Sequence, residues 1–130
     1  HKGQAGGAFD LDGAVGQIAP QVAQAGSETI ISKDLPNAFA GTTLHIKLQE
    51  IKAKNLIFVG FMTHTCVSAS VRAALDLGYR STLVSGAAAT RDLPTPSGGV
   101  IDAASLHEAS LAALGDRFAI IVDRADQLPD

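Results

Sequence analysis

Three residue types in this 130-residue chain stand where they could do chemistry: Cys66, Lys33 and His64. Cys66 is the only cysteine. It follows the run Asn55-Leu56-Ile57-Phe58-Val59-Gly60 and opens a stretch with helical periodicity. A thiol at a helix start meets unpaired backbone N–H groups and the positive end of the helix dipole, which favour the thiolate. A nearby ammonium pushes the same way, and Lys33 is the candidate. The thiolate is the nucleophilic form, so the pattern suits covalent catalysis. Backbone N–H groups of a tight turn there could receive a developing oxyanion. The alternative is that Cys66 packs as a small hydrophobe under a sheet and Lys33 is solvated. His64 precedes Cys66 by two residues, and such neighbours on a helix do not face each other. It is expected to line a substrate pocket rather than to form a Cys–His dyad.

These residues need elements that bring them together. Glu28-Thr29-Ile30-Ile31-Ser32 is β-branched and predicts a strand that delivers Lys33 at its end. From Thr43, Leu44, Leu48 and Ile51 recur at helical spacing, with Lys47, Glu50 and Lys54 on the other face. His45 is expected to face solvent. The run 55–60 shows no alternation, which predicts a strand covered on both faces. Thr63 and Thr65 could cap the helix that follows, with Val67, Val71 and Ala74 inward and Gly78 as its stop. Ser81–Ser85 predicts the next strand. Arg91 and Asp92, in the loop after it, are expected to pair at the surface. Asp102 is a candidate N-cap for a third helix, with Leu106, Ala109, Ala113 and Leu114 inward. In that helix His107 is expected at a surface or interface. Phe118–Val122 predicts the last strand.

Strands alternating with helices imply right-handed crossovers and a mainly parallel sheet, an α/β fold of three layers. Ligands of such sheets sit beyond the carboxyl ends of the strands. Lys33 and the Gly60–Cys66 turn both lie just after strand ends and can reach one crevice.

Composition narrows the function classes. Hydrophobic residues make up 46% and charged residues 18%, so the chain has the apolar content of a folded domain. The net charge of −3 argues against nucleic acid or an anionic membrane surface as partner. No apolar run approaches a membrane span. One cysteine excludes an internal disulfide and fits a reducing compartment, the cytoplasm. The four histidines form no metal-binding pair, and no metal or cofactor is expected from them.

The segment Gly60-Phe61-Met62-Thr63-His64-Thr65-Cys66-Val67, followed by Arg72-Ala73-Ala74-Leu75-Asp76-Leu77-Gly78-Tyr79, resembles the nucleophile segment of the isochorismatase-like cysteine hydrolases. Upstream, Ile31-Ser32-Lys33 with Asn37-Ala38-Phe39 and Thr42-Thr43-Leu44 is similar to that family's lysine segment. Leu83-Val84, Ala87–Asp92 and the His107 helix follow its layout. The resemblance runs over nearly the whole chain. It implies a Rossmann-like sheet of strand order 3-2-1-4-5-6 and an Asp–Lys–Cys triad in which Cys66 is the nucleophile and Lys33 the lysine. It implies a cis peptide between Phe61 and Met62, and an oxyanion hole from the N–H groups of Met62 and Cys66. Phe39, Phe61, His64 and His1 are then candidates for the pocket wall. The expected substrate is a small amide-like molecule, cleaved through a thioester. The alternatives are a vinyl-ether hydrolase of isochorismatase type, or an inactive binding or assembly module. A homodimer or homotetramer is implied as well.

One feature departs from the pattern. The family's triad Asp lies at the end of its first strand, well before the lysine segment. Asp10 and Asp12 sit in a glycine loop with no apolar run before them. The region from His1 resembles the segment just after the family's second strand. The expectation is therefore one domain over residues 1–130, incomplete at its N-terminal side. The first strand, first helix and second strand would come from an upstream segment or a partner chain. Without them an apolar strand edge is exposed, and the polypeptide by itself is expected to be unstable or to aggregate.

Overall fold

The computed structural model describes residues 1–7 and 9–129, the side chain of Val15 excepted. Its regular elements are α1 (Leu44–Glu50), β1 (Asn55–Phe61), a π-helical turn (Thr63–Val67), α2 (Ser68–Asp76), β2 (Arg80–Ala89), β3 (Leu93–Pro94), β4 (Val100–Ile101), α3 (Ala103–Gly115) and β5 (Ile120–Val122). β1, β2 and β5 form a parallel sheet with β2 in the middle. The α/β class and the parallel sheet are as expected.

The core lies on one face of that sheet. Leu83 of β2 meets Val67 from the π-helical turn, Val71 from α2, and Leu111 and Leu114 from α3. Phe58 of β1 and Ile121 of β5 close it at the sides. α2 stops where Gly78 takes φ +84°, a conformation that costs a residue without Cβ nothing. The chain then enters β2 beside β1, with Asn55 opposite Arg80.

Several expectations change here. β1 is not covered on both faces. Its even-numbered side chains are half-buried, while Ile57 is 60% and Phe61 73% exposed on the other face. On the same face of β2, Thr82 is 8% and Val84 5% exposed, so the exposure lies on the outer strand. Residues 28–32 form no strand. An extended run needs a neighbouring strand to pair with, and none of the described strands lies beside it. Ile51 is 74% exposed rather than inward, because α1 ends at Glu50 before the third periodic residue can be applied to the core. His45 faces inward: its Nδ1 lies 2.9 Å from the Tyr79 hydroxyl. Ala109 and Ala113 are exposed, and Leu111 takes the buried position on α3 instead. The loop after β2 holds a short antiparallel pair, β3 with β4, that the sequence reading lacked.

Asp102 caps α3 as expected, accepting from Ser105 N at 2.9 Å and Ser105 Oγ at 2.7 Å. Asp92 adds a second carboxylate at that helix start, accepting from Ala103 N at 2.8 Å. It therefore does not pair with Arg91, whose guanidinium donates to the Asp92 main-chain oxygen at 3.2 Å.

The backbone and hydroxyl donors of Ser105 hold the Asp102 carboxyl below its usual value of 3.8. A depressed folded-state value stabilises the fold above the unfolded value, and the gain disappears as pH falls through the folded one. The Asp102→Ala variant is thus expected to be less stable than the parent by a constant amount above about pH 5, with the gap closing below about pH 4. Urea midpoints across pH 3–7 measure it. A gap that widens in acid would contradict the capping role.

Candidate active site

The turn that carries Cys66 is built by the end of β1. Gly60 takes φ +107°, and the register of β1 against β2 shifts between Phe58 and Gly60. Phe58 pairs with Leu83 but Gly60 with Ala88, so β2 carries three extra residues over that step. The extra residues are anchored where Gly86 N donates to the Asp123 carbonyl at 3.1 Å. The peptide joining Phe61 to Met62 is cis.

The next residues wind one wide turn before α2. The Met62 carbonyl accepts from Thr65 N at 3.0 Å and Val67 N at 3.2 Å, the second being the five-residue step of a π turn. Such single turns recur at functional sites. Neither Thr63 nor Thr65 caps the helix through its side chain, as had been expected of them. Thr63 is fully buried, and its hydroxyl turns away from the helix start to donate to the Ala89 carbonyl at 3.1 Å.

Cys66 is half-buried and free. With Lys33, Phe61, Val59, Ala38 and Ser70 it lines a cavity of about 190 Å³ beyond the end of β1. The lysine segment is held to this wall by Ser70, a buried α2 residue whose hydroxyl accepts from Ala38 N at 2.9 Å. The Lys33 ammonium donates to the carbonyls of Leu35 at 2.8 Å and Pro36 at 3.0 Å. Its third neighbour is His1 Nδ1 at 3.3 Å. An ammonium has three donors and no acceptor. All three are thus directed at named partners, and Lys33 acts on the cavity as a fixed charge rather than by a hydrogen bond to the thiol.

The remaining candidates fall in different places. His1 stands at Lys33, with its ring edge-on to Phe9 at 5.1 Å. His64 lies beside Thr90, Nδ1 to Oγ1 at 2.5 Å, and is not among the residues lining the Cys66 cavity. Phe39 stacks on Tyr79 at 6.0 Å and belongs to a separate hollow beside α1. Met62 sits at the base of the turn. Asp10 folds back on its own loop, its carboxylate accepting from Gly6 N at 2.7 Å and Asp12 N at 3.1 Å. Those two N–H groups hold the carboxyl below its usual value. Neither Asp10 nor Asp12 lines the cavity.

Sequence reasoning missed two contributors. Ser70 is one; a serine on a helix gives no signal that its hydroxyl serves a distant amide. The other is His107, which was expected at the surface. It is half-buried, with Nδ1 2.9 Å from Thr63 Oγ1. Only the packing of α3 against the turn that carries Cys66 brings it there.

Comparison with known proteins bears on this geometry. Residues 1–126 match the family model described as the isochorismatase domain. An uncharacterised isochorismatase family protein of Bacillus subtilis, YddQ, is 39% identical over 94 residues, covering 72% of this chain and 52% of its own. Nicotinamidase 3 of Arabidopsis thaliana is 32% identical over 98 residues, 75% of this chain and 44% of its own. Among solved structures, an isochorismatase from Pseudomonas putida superposes with a TM-score of 0.92 at 45% identity. That match covers 97% of this chain and 64% of the other. The chain thus spans about half the length of the curated relatives it matches.

Proposed function

The chain belongs to the isochorismatase family, and from that premise we propose that it carries the nucleophile and lysine of a cysteine hydrolase acting on a small amide-like substrate. One observation carries the proposal: Cys66 and Lys33, far apart in sequence, line the same cavity at the end of a parallel strand. Cys66 attacks the carbonyl carbon, and a C–S bond forms while the oxygen gains charge. The N–H groups of Met62 and Cys66 donate to that oxyanion, and the interaction weakens once the neutral carbonyl re-forms. The C–N bond then breaks as the departing nitrogen takes a proton from solvent, to which the thiol had given its own. Water attacks the thioester, releasing the acid and restoring the thiol.

Lys33 brings a positive charge to the wall of the cavity that Cys66 lines. Phe61 and Val59 give the substrate an apolar wall. The triad carboxylate that the family implies is not assigned to Asp10 or Asp12. A free thiol of this kind works in a reducing compartment, so we place the protein in the cytoplasm. No described helix is long and apolar enough to cross a membrane. The name of the Arabidopsis relative supports an amide substrate. The Pseudomonas structure, described as an isochorismatase, favours the second reading, cleavage of a vinyl ether at the same cavity.

Iodoacetamide labelling tests the assignment. At pH 7, Cys66 is expected to react about tenfold faster than an ordinary exposed thiol, and Lys33→Ala to remove most of that advantage. Ordinary reactivity, unchanged by Lys33→Ala, would overturn the nucleophile reading and leave the binding-module alternative. Ammonia release from small amides against cleavage of an enol ether then separates the two hydrolytic readings.

A further inference from the structure

The contact between α3 and the nucleophile turn contains information about a proton. Thr63 Oγ1 has two neighbours, the Ala89 carbonyl at 3.1 Å and His107 Nδ1 at 2.9 Å. A hydroxyl has one proton. A carbonyl can only accept, so the Thr63 proton goes to Ala89. The His107 ring must then carry its own proton on Nδ1 and donate it to Thr63. The order is fixed: His107 donates to Thr63, and Thr63 donates to Ala89.

This chain of bonds joins three elements at one buried point. Thr63 is the first residue of the turn that holds Cys66. Ala89 is the last residue of β2, and His107 lies in α3. A second tie runs parallel to it, from His64 Nδ1 to Thr90 Oγ1. The turn is therefore pinned on two successive residues at the end of β2, and one of those pins is set by an imidazole from another helix. Packing alone does not require that imidazole, since a leucine on α3 would fill the same space. Without it, however, Thr63 Oγ1 keeps only one partner, and its buried lone pairs go unmet.

We infer that His107 is a positioning residue for Cys66: by donating to Thr63 it fixes the orientation of the turn, and hence of the thiol and the N–H groups beside it. This rests on the reading of Cys66 as nucleophile. His107 touches neither the thiol nor the cavity, so its effect passes through Thr63.

The test uses the protein with His107→Leu, His107→Asn and His107→Gln, and the alkylation rate of Cys66 by iodoacetamide at pH 7. Asparagine places an N–H donor where Nδ1 stood, and glutamine reaches instead toward the position of Nε2. His107→Leu and His107→Gln are expected to slow alkylation about tenfold or more, and His107→Asn to recover it to within about twofold. Thermal midpoints of all three accompany the rates. Equal rates in the Asn and Gln variants overturn the inference, as does a folded His107→Leu variant that alkylates like the parent. If His107→Leu does not fold, the Asn and Gln pair decides alone. Failure of the underlying reading is distinguishable, because then the parent protein itself shows no elevated Cys66 reactivity.

Discussion

Cys66→Ala is expected to lower hydrolytic turnover by on the order of a thousandfold or more while leaving the fold intact. The size of the effect follows from what the side chain does. A nucleophile forms the bond that divides one high barrier into two lower ones, and no neighbour can replace it. His64 is turned to Thr90 and is not in the cavity, and the Ser70 hydroxyl that lines it is engaged by Ala38 N. The small effect on folding follows from position. Cys66 is half-buried at the mouth of a cavity, so removing its sulfur leaves no enclosed void. Turnover of a small amide measured with circular dichroism on the same sample reads both quantities. Cys66→Ser is the companion variant, because it keeps the shape and lowers the nucleophilicity. An alanine variant that retains more than about a tenth of the parent activity would remove Cys66 from the chemistry.

The largest loss of stability is expected at Leu83. It is 0% exposed and lies on β2, the central strand of the sheet. Around it are Val67 and Val71 from one side and Leu111 and Leu114 from the other. Truncating such a leucine costs about 2–5 kcal/mol, the transfer term plus the cavity left behind. A typical domain has about 5–15 kcal/mol in total. Leu83→Ala is therefore expected to leave a protein that is marginal at 25 °C. Val67 belongs both to this cluster and to the turn that carries Cys66, so activity is expected to fall with the packing. The control is Ile46→Ala on α1, where the side chain is exposed and the change is expected within about 0.5 kcal/mol. Urea denaturation of the two variants in parallel makes the comparison. A loss at Leu83 no larger than that at Ile46 would contradict the assigned core.

The parallel strands were legible because their side chains repeat the physical demand of burial. Asn55–Gly60 and Ser81–Ser85 read as strands, and they lie within β1 and β2. Gly78 read as a helix stop because a positive φ is cheap only there, and the stop is where it was expected. Asp102 read as a cap from its own chemistry, which a local segment can specify without help from the rest of the chain. The run Glu28–Ser32 misled for the opposite reason. β-branching favours an extended backbone, but a strand exists only when another strand satisfies its hydrogen bonds. The spacing of α1 misled at Ile51 because periodicity gives a direction and not the point at which a helix ends.

For the site, the residue types were local and their company was not. Cys66 at the head of a helix after an apolar strand could be read directly, and so could Lys33 after an extended run. The expected order of strands placed them at one crevice, and they do line one cavity although the strand expected before Lys33 does not form. What sequence could not decide was which other groups meet at that end. Phe39 is as apolar as Phe61, yet the first stacks on Tyr79 and the second lines the cavity. His64 stands near Cys66 in sequence and turns to Thr90, while His107, far along the chain, bonds the first residue of the Cys66 turn. Local spacing fixes the backbone of a turn and the nature of its side chains. Partners at long range are set by how the helices pack on the central strand, and that packing depends on volumes summed over Val67, Val71, Leu83, Leu111 and Leu114 together. The sequence by itself determined the α/β class and singled out Cys66 and Lys33 as candidates. The tertiary structure decided which face of β1 is covered, where Lys33 sends its three protons, and that an imidazole from α3 holds the turn on which Cys66 stands.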